Sequence, residues 1–403
     1  MDVYRLRKDF PLLAGSEDSE KPIYLDSASQ TLRPRSVMEA MDEYYESFPA
    51  CAGRSAHKLA TEISIRCDEV RSKAANFLGA EDSSEISFLK NATEGLNTII
   101  FGCGLERGDE VVTTDYEHNS VHVPLLRASE TIGIRRRIVD SLPDGTFDLE
   151  SFEEVMSRRV KLVAACLTSN VTGYTLPAKE VVDIAHSHGA AVVFDAAQTA
   201  PSRRVDAREL DADFVVACAH KMLGPSGVGI MYARRELSER LDPRMLGGHG
   251  VAYVDRDSYE LLPPPERFEA GLQNYAGIVG TGAAIDYLNA VGLEEVFGHE
   301  LSLNRRLTRA LRSIPGVDIL EPADPNLRGG MLGFNLAGFI PHDVAVILDH
   351  SRGIMLRAGR LCCHSIFEAR GIEGCARASF YLYNTTEEVE ALAEAVEDMT
   401  AGL

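Results

Sequence analysis

Three polar side chains stand at or just beyond the ends of two apolar runs. Lys221 follows the run ADFVVAC through Ala219 and His220, while Asp195 closes the run AAVVFD and Gln198 comes one turn later. An amine can hold an aldehyde as a Schiff base, and a carboxylate can keep a pyridine nitrogen protonated so that the ring accepts electrons from a substrate's α-carbon. A lysine near a strand end is more often a solvated surface residue. The combination of these groups nevertheless predicts a pocket for pyridoxal 5'-phosphate (PLP).

Apolar runs that alternate with helical patterns must position these side chains. The runs EISFL, DEVVTT, KLVAACL, AAVVFD and ADFVVAC are typical of buried strands, and helical spacing of apolar residues predicts helices over 58–78 and 178–188. This alternation predicts an α/β fold with a parallel sheet covered by helices on both faces. The C-terminal part has long helices and a few strands, GGMLGFNL and GIMLRA among them. We therefore expect a large domain over 20–265 and a smaller α+β domain formed by 1–19 and 281–403.

The composition narrows the class of protein. The chain has 403 residues, a formal net charge of −20 and eight cysteines. Such acidity argues against nucleic acid or an anionic membrane surface as the main partner, and the cysteines indicate buried thiols in a reducing compartment. The first residues contain no apolar stretch of signal-peptide length, and no run approaches the roughly 18 apolar residues of a spanning helix. We expect a cytoplasmic enzyme without a membrane or nucleic-acid partner.

Further candidate groups follow other strands, and the carboxyl ends of parallel strands meet at one edge of a sheet. In the motif NATE, Asn91 is a candidate N-cap and a glutamate follows three positions later, as in a capping box, so a helix should begin at Ala92 and Thr93. Free backbone N–H groups at such a helix start suit a phosphate, although simple helix capping is the alternative. His118, in DYEHNS, could stack on the pyridine ring and handle a proton, or be an ordinary surface histidine. Asn170, in LTSNVTG, could hydrogen-bond the ring hydroxyl or the substrate, or serve a turn.

Eight motifs together resemble a known family. In chain order they are YLDSAS, KNATEG, EHNSV, SNVTG, FDAAQ, AHKMLGPSGVG, FEAG and RASFYLYNT. Their composition and order resemble the class V, fold-type I PLP-dependent enzymes and, within them, the cysteine desulfurases of the SufS type. The resemblance covers nearly the whole chain. It implies a seven-stranded sheet in the large domain, a homodimer, L-cysteine as substrate, and a sulfur-acceptor or iron–sulfur scaffold protein as partner.

The resemblance implies roles for the residues around the cofactor. These are Lys221 as the Schiff-base lysine, Asp195 at the pyridine nitrogen, Gln198 at the ring hydroxyl, His118 on the ring face, and Thr93, with Ala92 and His220, at the phosphate. Two positions depart from the family's pattern. Cys218 stands where the family usually has a serine or threonine that donates to the phosphate, and a thiol is a weaker donor. Gln273 could replace a threonine that in the family reaches the phosphate of the other subunit.

The resemblance also implies a substrate site. Arg377 would hold the substrate carboxylate with two parallel hydrogen bonds, as a guanidinium group can, and Ala28 and Asn170 would lie beside it. Arg54 and His57, in GRSAH, match a family segment that approaches the active site from the dimer partner.

The reaction itself depends on Cys362, in LRAGRLCCHS. It falls where the desulfurases carry the nucleophile that takes sulfur from the substrate, leaving a persulfide and releasing alanine. Arg357 or Arg360 could stabilise its thiolate. The alternatives are an inert core thiol, or a small metal site built from Cys362, Cys363, His364 and Cys375. Cys363 could also act as an alternative nucleophile or resolve a persulfide into a disulfide. If Cys362 is incidental, the chain is a class V aminotransferase, a selenocysteine lyase, another PLP lyase, or a catalytically silent scaffold for sulfur transfer.

Overall fold

The computed structural model describes residues 1–15 and 22–401. Its helices are α1 (Val3–Leu6), α2 (Pro11–Ala14), α3 (Arg35–Ser47), α4 (Lys58–Leu78), α5 (Ala92–Gly102), α6 (Asn119–Thr131), α7 (Leu149–Val155), α8 (Ala178–Ser187), α9 (Ala207–Leu210), α10 (Arg235–Ser238), α11 (Tyr275–Val291), α12 (Leu293–Arg312), α13 (Pro341–Arg352), α14 (His364–Arg370) and α15 (Thr386–Ala401). Its strands are β1 (Ile23–Tyr24), β2 (Ile86–Leu89), β3 (Glu110–Thr114), β4 (Arg135–Val139), β5 (Val160–Cys166), β6 (Ala191–Asp195), β7 (Phe214–Cys218), β8 (Gly229–Ala233), β9 (Val251–Val254), β10 (Tyr259–Leu261), β11 (Val317–Ile319), β12 (Met331–Leu336), β13 (Ile354–Met355), β14 (Arg357–Gly359) and β15 (Cys375–Ser379).

Strands β2 to β8 form one seven-stranded sheet in the order β2-β8-β7-β6-β5-β3-β4. Neighbouring strands are parallel except at β8, which runs antiparallel to both β2 and β7. Successive side chains of a strand point to opposite faces, and those of β7 divide accordingly between two apolar clusters: Val215 and Ala217 join one, Phe214 and Val216 the other. Both faces of the sheet are therefore covered, and the predicted α/β fold with a mostly parallel sheet is confirmed.

A second sheet lies in the C-terminal part of the chain. Its strands pair antiparallel in the order β11-β12-β15-β14. A third apolar cluster joins this sheet to α12, α13 and α15 through residues such as Leu307, Val344 and Leu392. The predicted strand GIMLRA divides into two short strands, because β13 pairs in parallel with β1 whereas β14 pairs with β15. The early strand β1 is thereby joined to this part of the fold.

Helix α11 determines where the two parts of the chain divide. It packs against α3 and α4, and glycines allow a close approach: a Cβ on Gly280 would lie 2.7 Å from Met41 Cγ, and one on Gly282 would lie 2.5 Å from Val70 Cγ2. The expected start of the small domain at residue 281 therefore falls inside a helix that belongs to the large part by its packing. We propose a division after Gly292. Residues 16–21, which include the expected boundary near residue 20, lie outside the described ranges.

A short two-stranded hairpin lies on the surface. The hairpin of β9 and β10 was not predicted, since its side chains, among them Tyr253, Val254 and Tyr259, are exposed and give no buried-strand pattern.

Within the described ranges, no single helix is long and apolar enough to cross a membrane. Among the described helices, only α11 and α12 taken together satisfy that test, with a bend of 74° between them.

Candidate active site

A cavity of about 450 Å³ opens at the carboxyl ends of the parallel strands, at the edge where the sequence places its candidate residues. Cys166 of β5, Asp195 of β6 and Cys218 of β7 form part of its lining, and residues of the C-terminal part of the chain form another part. The predicted cofactor and substrate residues all line this cavity except Arg54, His57 and Gln273. Strand ends that are far apart in sequence are thus brought together, as the parallel sheet requires.

The predicted amine and carboxylate face the same cavity. Lys221 ends the short 3-10 turn that follows β7, and Asp195 is the last residue of β6, 6% exposed. Asp195 Oδ1 accepts a hydrogen bond from the Ala197 backbone N–H (2.9 Å). In the part of the chain that is described, neither Lys221 nor Asp195 forms an ion pair. Gln198 Nε2 donates to Ala28 O (2.9 Å), which fixes the orientation of its amide at the cavity wall. A carboxylate without a cationic partner is suited to a protonated pyridine nitrogen.

His118 is held in one tautomer. Its Nδ1 accepts the backbone N–H of Ser120 (3.0 Å) and lies 2.8 Å from Ser120 Oγ. A backbone N–H can only donate, so Nδ1 carries a lone pair and the ring proton is on Nε2. Burial lowers the pKa of His118, and the charge of Lys221 lowers it further while Asp195 opposes the shift. His118 is therefore a neutral ring at pH 7 with one N–H to offer.

The N-terminus of α5 lines the cavity. Asn91 Oδ1 accepts the N–H of Glu94 (2.9 Å), as the NATE motif predicts, but the Glu94 carboxylate accepts the N–H of Lys90 (2.6 Å) and not that of Asn91. The N–H groups of Ala92 and Thr93, in the first turn, have no intrahelical acceptor. Thr93 Oγ1 adds a hydroxyl, 2.7 Å from Ser120 Oγ. This end suits an anion.

Cys218 and His220 also line the cavity. Their Sγ and Nε2 atoms are 3.9 Å apart. Burial raises the pKa of Cys218 to about 11, although Lys221 opposes the shift. Burial lowers the pKa of His220 to about 4, and Lys221 and Arg33 lower it further. The thiol thus keeps its proton at pH 7 and remains a donor, though a weaker one than a hydroxyl.

Arg377 forms a buried cationic site on β15. It is 2% exposed; Nη1 donates to Asn170 O (2.8 Å), and Nη2 donates to Asp26 Oδ1 (3.0 Å) and Ser29 Oγ (2.8 Å). Burial lowers its pKa and Asp26 opposes that shift. Its Nε has no partner among the residues that the structure describes. Arg377 also lines the cavity, and a guanidinium group there is suited to bind a carboxylate.

Cys362 lies on the turn between β14 and α14, with its thiol exposed at the cavity. Leu361 and Cys362 both have positive φ values, 49° and 58°. The two arginines that the sequence offered as neighbouring cations differ in position. Arg360 pairs with Glu368 on the exposed side of α14, whereas Arg357 lines the cavity. Of these two arginines, Arg357 is therefore the one that shares the cavity with the Cys362 thiol.

The structure does not support the other roles considered for the neighbouring cysteines. Cys363 is fully buried, and burial raises the pKa of its thiol well above the usual range, so it is a poor nucleophile. Cys375 is also fully buried, on β15. Among residues 1–15 and 22–401, no three His, Cys, Asp or Glu side chains gather closely enough to hold a metal ion. The metal alternative for Cys362, Cys363, His364 and Cys375 therefore has no geometric basis.

Three of the implied site residues lie elsewhere on this chain. His57 is the N-cap of α4, where its Nδ1 accepts the N–H of Ala60 (3.3 Å). Arg54 lies beside Gly248: its guanidinium nitrogens are 3.4 Å from the position that a Cβ added to Gly248 would take. Gln273 donates to Glu269 O (2.6 Å) and lines a separate cavity of about 140 Å³. Their expected roles concern the second subunit of a dimer and remain predictions.

Sequence reasoning missed several residues of the site. Asp26 pairs with Arg377, and Ser29 hydrogen-bonds both of them. Ser120 connects His118 to Thr93. Asp26 and Ser29 lie inside the quoted motif YLDSAS and Ser120 inside EHNSV. The motifs therefore carried the signal, but which of their polar residues reach the cavity depends on tertiary contacts.

Comparison with known proteins agrees with this geometry. The sequence matches the family model described as aminotransferase class-V over residues 23–392, so the chain belongs to the class V aminotransferase family. Within that family, relatives that match nearly the whole chain include cysteine desulfurases. A probable cysteine desulfurase of Streptomyces coelicolor is 37% identical over 98% of this chain and 97% of its own length. A cysteine desulfurase of Serratia proteamaculans is 36% identical over 97% of this chain and 96% of its own length.

Solved structures give the same result. The apo structure of a cysteine desulfurase from Thermococcus onnurineus matches with a TM-score of 0.94 at 37% identity, covering 99% of this chain and 98% of that one. The cysteine desulfurase CsdA of Escherichia coli matches with a TM-score of 0.91 at 30% identity, covering 100% and 99%. The expected resemblance and the fold-type I architecture are confirmed.

The residues of the cavity fit PLP. Free N–H groups at the start of α5 suit its phosphate. The buried Asp195 has no cationic partner among the described residues and suits its pyridine nitrogen, and the Lys221 amine suits its aldehyde. Arg377 lines the same cavity and suits a substrate carboxylate.

Proposed function

We propose that the protein is a PLP-dependent cysteine desulfurase that converts L-cysteine to L-alanine and carries the sulfur as a persulfide on Cys362. One observation carries the proposal: an exposed thiol on a fixed turn lines the same cavity as Lys221, Asp195 and Arg377. Aminotransferase chemistry needs the last three groups but has no use for that thiol. The full-length relatives named cysteine desulfurase support the proposal.

The residues of the chain act in turn on L-cysteine. PLP, when bound, supplies an acceptor for the electrons of the substrate's Cα–H bond. Arg377 binds the substrate carboxylate, Lys221 takes the proton from Cα and returns protons at later steps, and Asp195 holds a positive charge at the pyridine nitrogen. His118 offers its Nε2–H within the cavity.

Sulfur transfer is the step assigned to Cys362. Its thiolate attacks the substrate sulfur, so that an S–S bond forms while the substrate's C–S bond breaks with its electron pair left on carbon. A proton on that carbon completes alanine, and the enzyme keeps Cys362–S–SH. Arg357, which lines the cavity with Cys362, supports the thiolate before attack. A later reductant or acceptor thiol must remove the outer sulfur.

The assembly and the partners belong to the same proposal. We infer a homodimer in which Arg54, His57 and Gln273 serve the cavity of the other subunit, since each lies outside the cavity of its own chain. A sulfur-acceptor or iron–sulfur scaffold protein would receive the persulfide sulfur at the exposed thiol of Cys362. We place the enzyme in the cytoplasm, where its eight cysteines stay reduced.

The test compares wild type with Cys362→Ala and a matched control, Cys51→Ala, which removes another exposed thiol. Each protein is reconstituted with PLP and supplied with L-cysteine and a reductant, and alanine and sulfide are measured. We expect activity in wild type and in Cys51→Ala, and its loss in Cys362→Ala with the cofactor absorbance unchanged. Turnover that survives in Cys362→Ala would favour another PLP lyase or an aminotransferase. PLP binding without alanine from wild type would favour a scaffold.

A further inference from the structure

The turn that carries Cys362 has a backbone that needs support. Leu361 and Cys362 are adjacent residues with a Cβ, and both lie in the left-handed region with φ of 49° and 58°. Such conformations are unfavourable for side chains other than glycine and persist only where the surroundings hold them. The turn is short, because β14 ends at Gly359 and α14 begins at His364. Its shape decides where the Cys362 thiol points.

Hydrogen bonds from three places hold this turn. Within the turn, the backbone N–H of Cys363 donates to Arg360 O (2.8 Å). The backbone N–H of Asn119, at the start of α6, donates to Cys362 O (2.7 Å). Asn170 Nδ2 donates to Leu361 O (2.8 Å). This last bond comes from a side-chain amide, whose nitrogen and oxygen could exchange places by rotation about its last bond. Something must therefore fix the amide.

Cys363 fixes the amide of Asn170. The Cys363 Sγ lies 2.8 Å from Asn170 Oδ1 and is fully buried. Burial raises the pKa of this thiol, so it keeps its proton and donates. Asn170 Oδ1 can only accept and Nδ2 can only donate. A donor at Oδ1 thus leaves Nδ2 directed at Leu361 O. Asn170 is 7% exposed, so bulk water is a poor substitute for either partner.

We propose that Cys363 is a positioning residue for Cys362: its thiol orients the Asn170 amide, and the amide holds the turn in the conformation that presents Cys362 to the cavity. The predicted kinetic effect rests on the proposed function. The connection from Cys363 through Asn170 to Leu361 concerns the protein alone and can be measured without turnover. In this arrangement the second cysteine of the CC pair serves as a hydrogen-bond donor and carries no sulfur.

The experiment compares Cys363→Ala, which removes the donor, with Cys363→Ser, which keeps one, in the PLP-reconstituted protein. Cys67→Ala is the control, since Cys67 is a buried thiol in α4, away from the cavity. Two readouts are taken: kcat and KM for alanine formation, and hydrogen–deuterium exchange of the segment 357–366. We expect Cys363→Ala to lower kcat about tenfold with KM within about twofold, and to speed exchange in that segment. Cys363→Ser should restore both, and Cys67→Ala should change neither.

The outcomes separate the two proposals. Unchanged kcat and exchange in Cys363→Ala overturn the inference, as does a Cys363→Ser variant that behaves like the alanine variant, because a packing role would not distinguish the donor. If Cys363→Ala does not fold, Cys363→Val, which also lacks a donor but fills more of the space, takes its place in the comparison. A wild type that forms no alanine contradicts the proposed function, while the exchange measurement still decides the inference.

Discussion

The substitution Arg377→Lys separates the geometry of the carboxylate site from its charge. The guanidinium group, 2% exposed, already binds Asn170 O, Ser29 and Asp26, and Arg377 lines the cavity that would hold the substrate. Lysine keeps a positive charge beside Asp26 but replaces a planar fork with a single ammonium group. Loss of one charge-assisted hydrogen bond to the substrate carboxylate costs about 1.5–3 kcal/mol. We therefore expect kcat/KM for L-cysteine to fall about 10- to 150-fold.

The assay compares two ligands. L-Cysteine carries the carboxylate and cysteamine does not, so binding of each to the PLP-reconstituted protein is followed through the change in cofactor absorbance. Arg377→Lys should weaken L-cysteine binding strongly and leave cysteamine binding within about twofold. The melting temperature serves as the control for the buried pair with Asp26. An equal loss for both ligands, or none for L-cysteine, would refute the assignment of the carboxylate to Arg377.

Two further predictions concern stability and cofactor affinity. Burial raises the pKa of Glu300 to about 8. The protonated carboxyl therefore adds to the free energy of unfolding; this contribution is fully present below the unfolded pKa of about 4.3 and is lost as pH rises through 8. In urea unfolding, the free energy of unfolding of Glu300→Gln should therefore rise by about 2–4 kcal/mol relative to that of wild type as the pH increases from 5 to 9. Parallel pH profiles of the two proteins would contradict this. A Cβ at Gly229 would lie 2.5 Å from the backbone carbon of Asn91, the N-cap of α5. Gly229→Ala should thus weaken PLP binding about tenfold or more, whereas Gly298→Ala, with open space around it, should not; equal affinities in equilibrium dialysis would argue against the phosphate site at α5.

The central residues of the site could be predicted from the sequence because they lie next to local sequence patterns. Apolar runs predicted β6 and β7, and a parallel sheet brings the ends of its strands to one edge, so Asp195 and Lys221 could be expected to meet. The N-cap at Asn91 was predicted for the same reason, since capping depends on neighbouring residues. The antiparallel direction of β8 leaves no comparable local signal.

Other features depend on contacts between distant segments. Asp26 reaches Arg377 because the segment after β1 forms a bridge with Ser379, and no spacing rule connects such distant residues. The division of GIMLRA into β13 and β14 follows from partners in two different sheets. The positive φ values of Leu361 and Cys362 contradict the usual preference of residues with a Cβ. They exist because hydrogen bonds from α6 and Asn170 hold them.

The transfer of sulfur to Cys362 is the central claim, and one single-turnover experiment tests it directly. PLP-reconstituted protein receives one equivalent of L-cysteine labelled with heavy sulfur, without a reductant, and the alkylated peptides are analysed by mass spectrometry. The account predicts one labelled sulfur on Cys362, formed in step with one alanine, and none on Cys363. Alanine formed with the labelled sulfur free in solution or on another cysteine would contradict it.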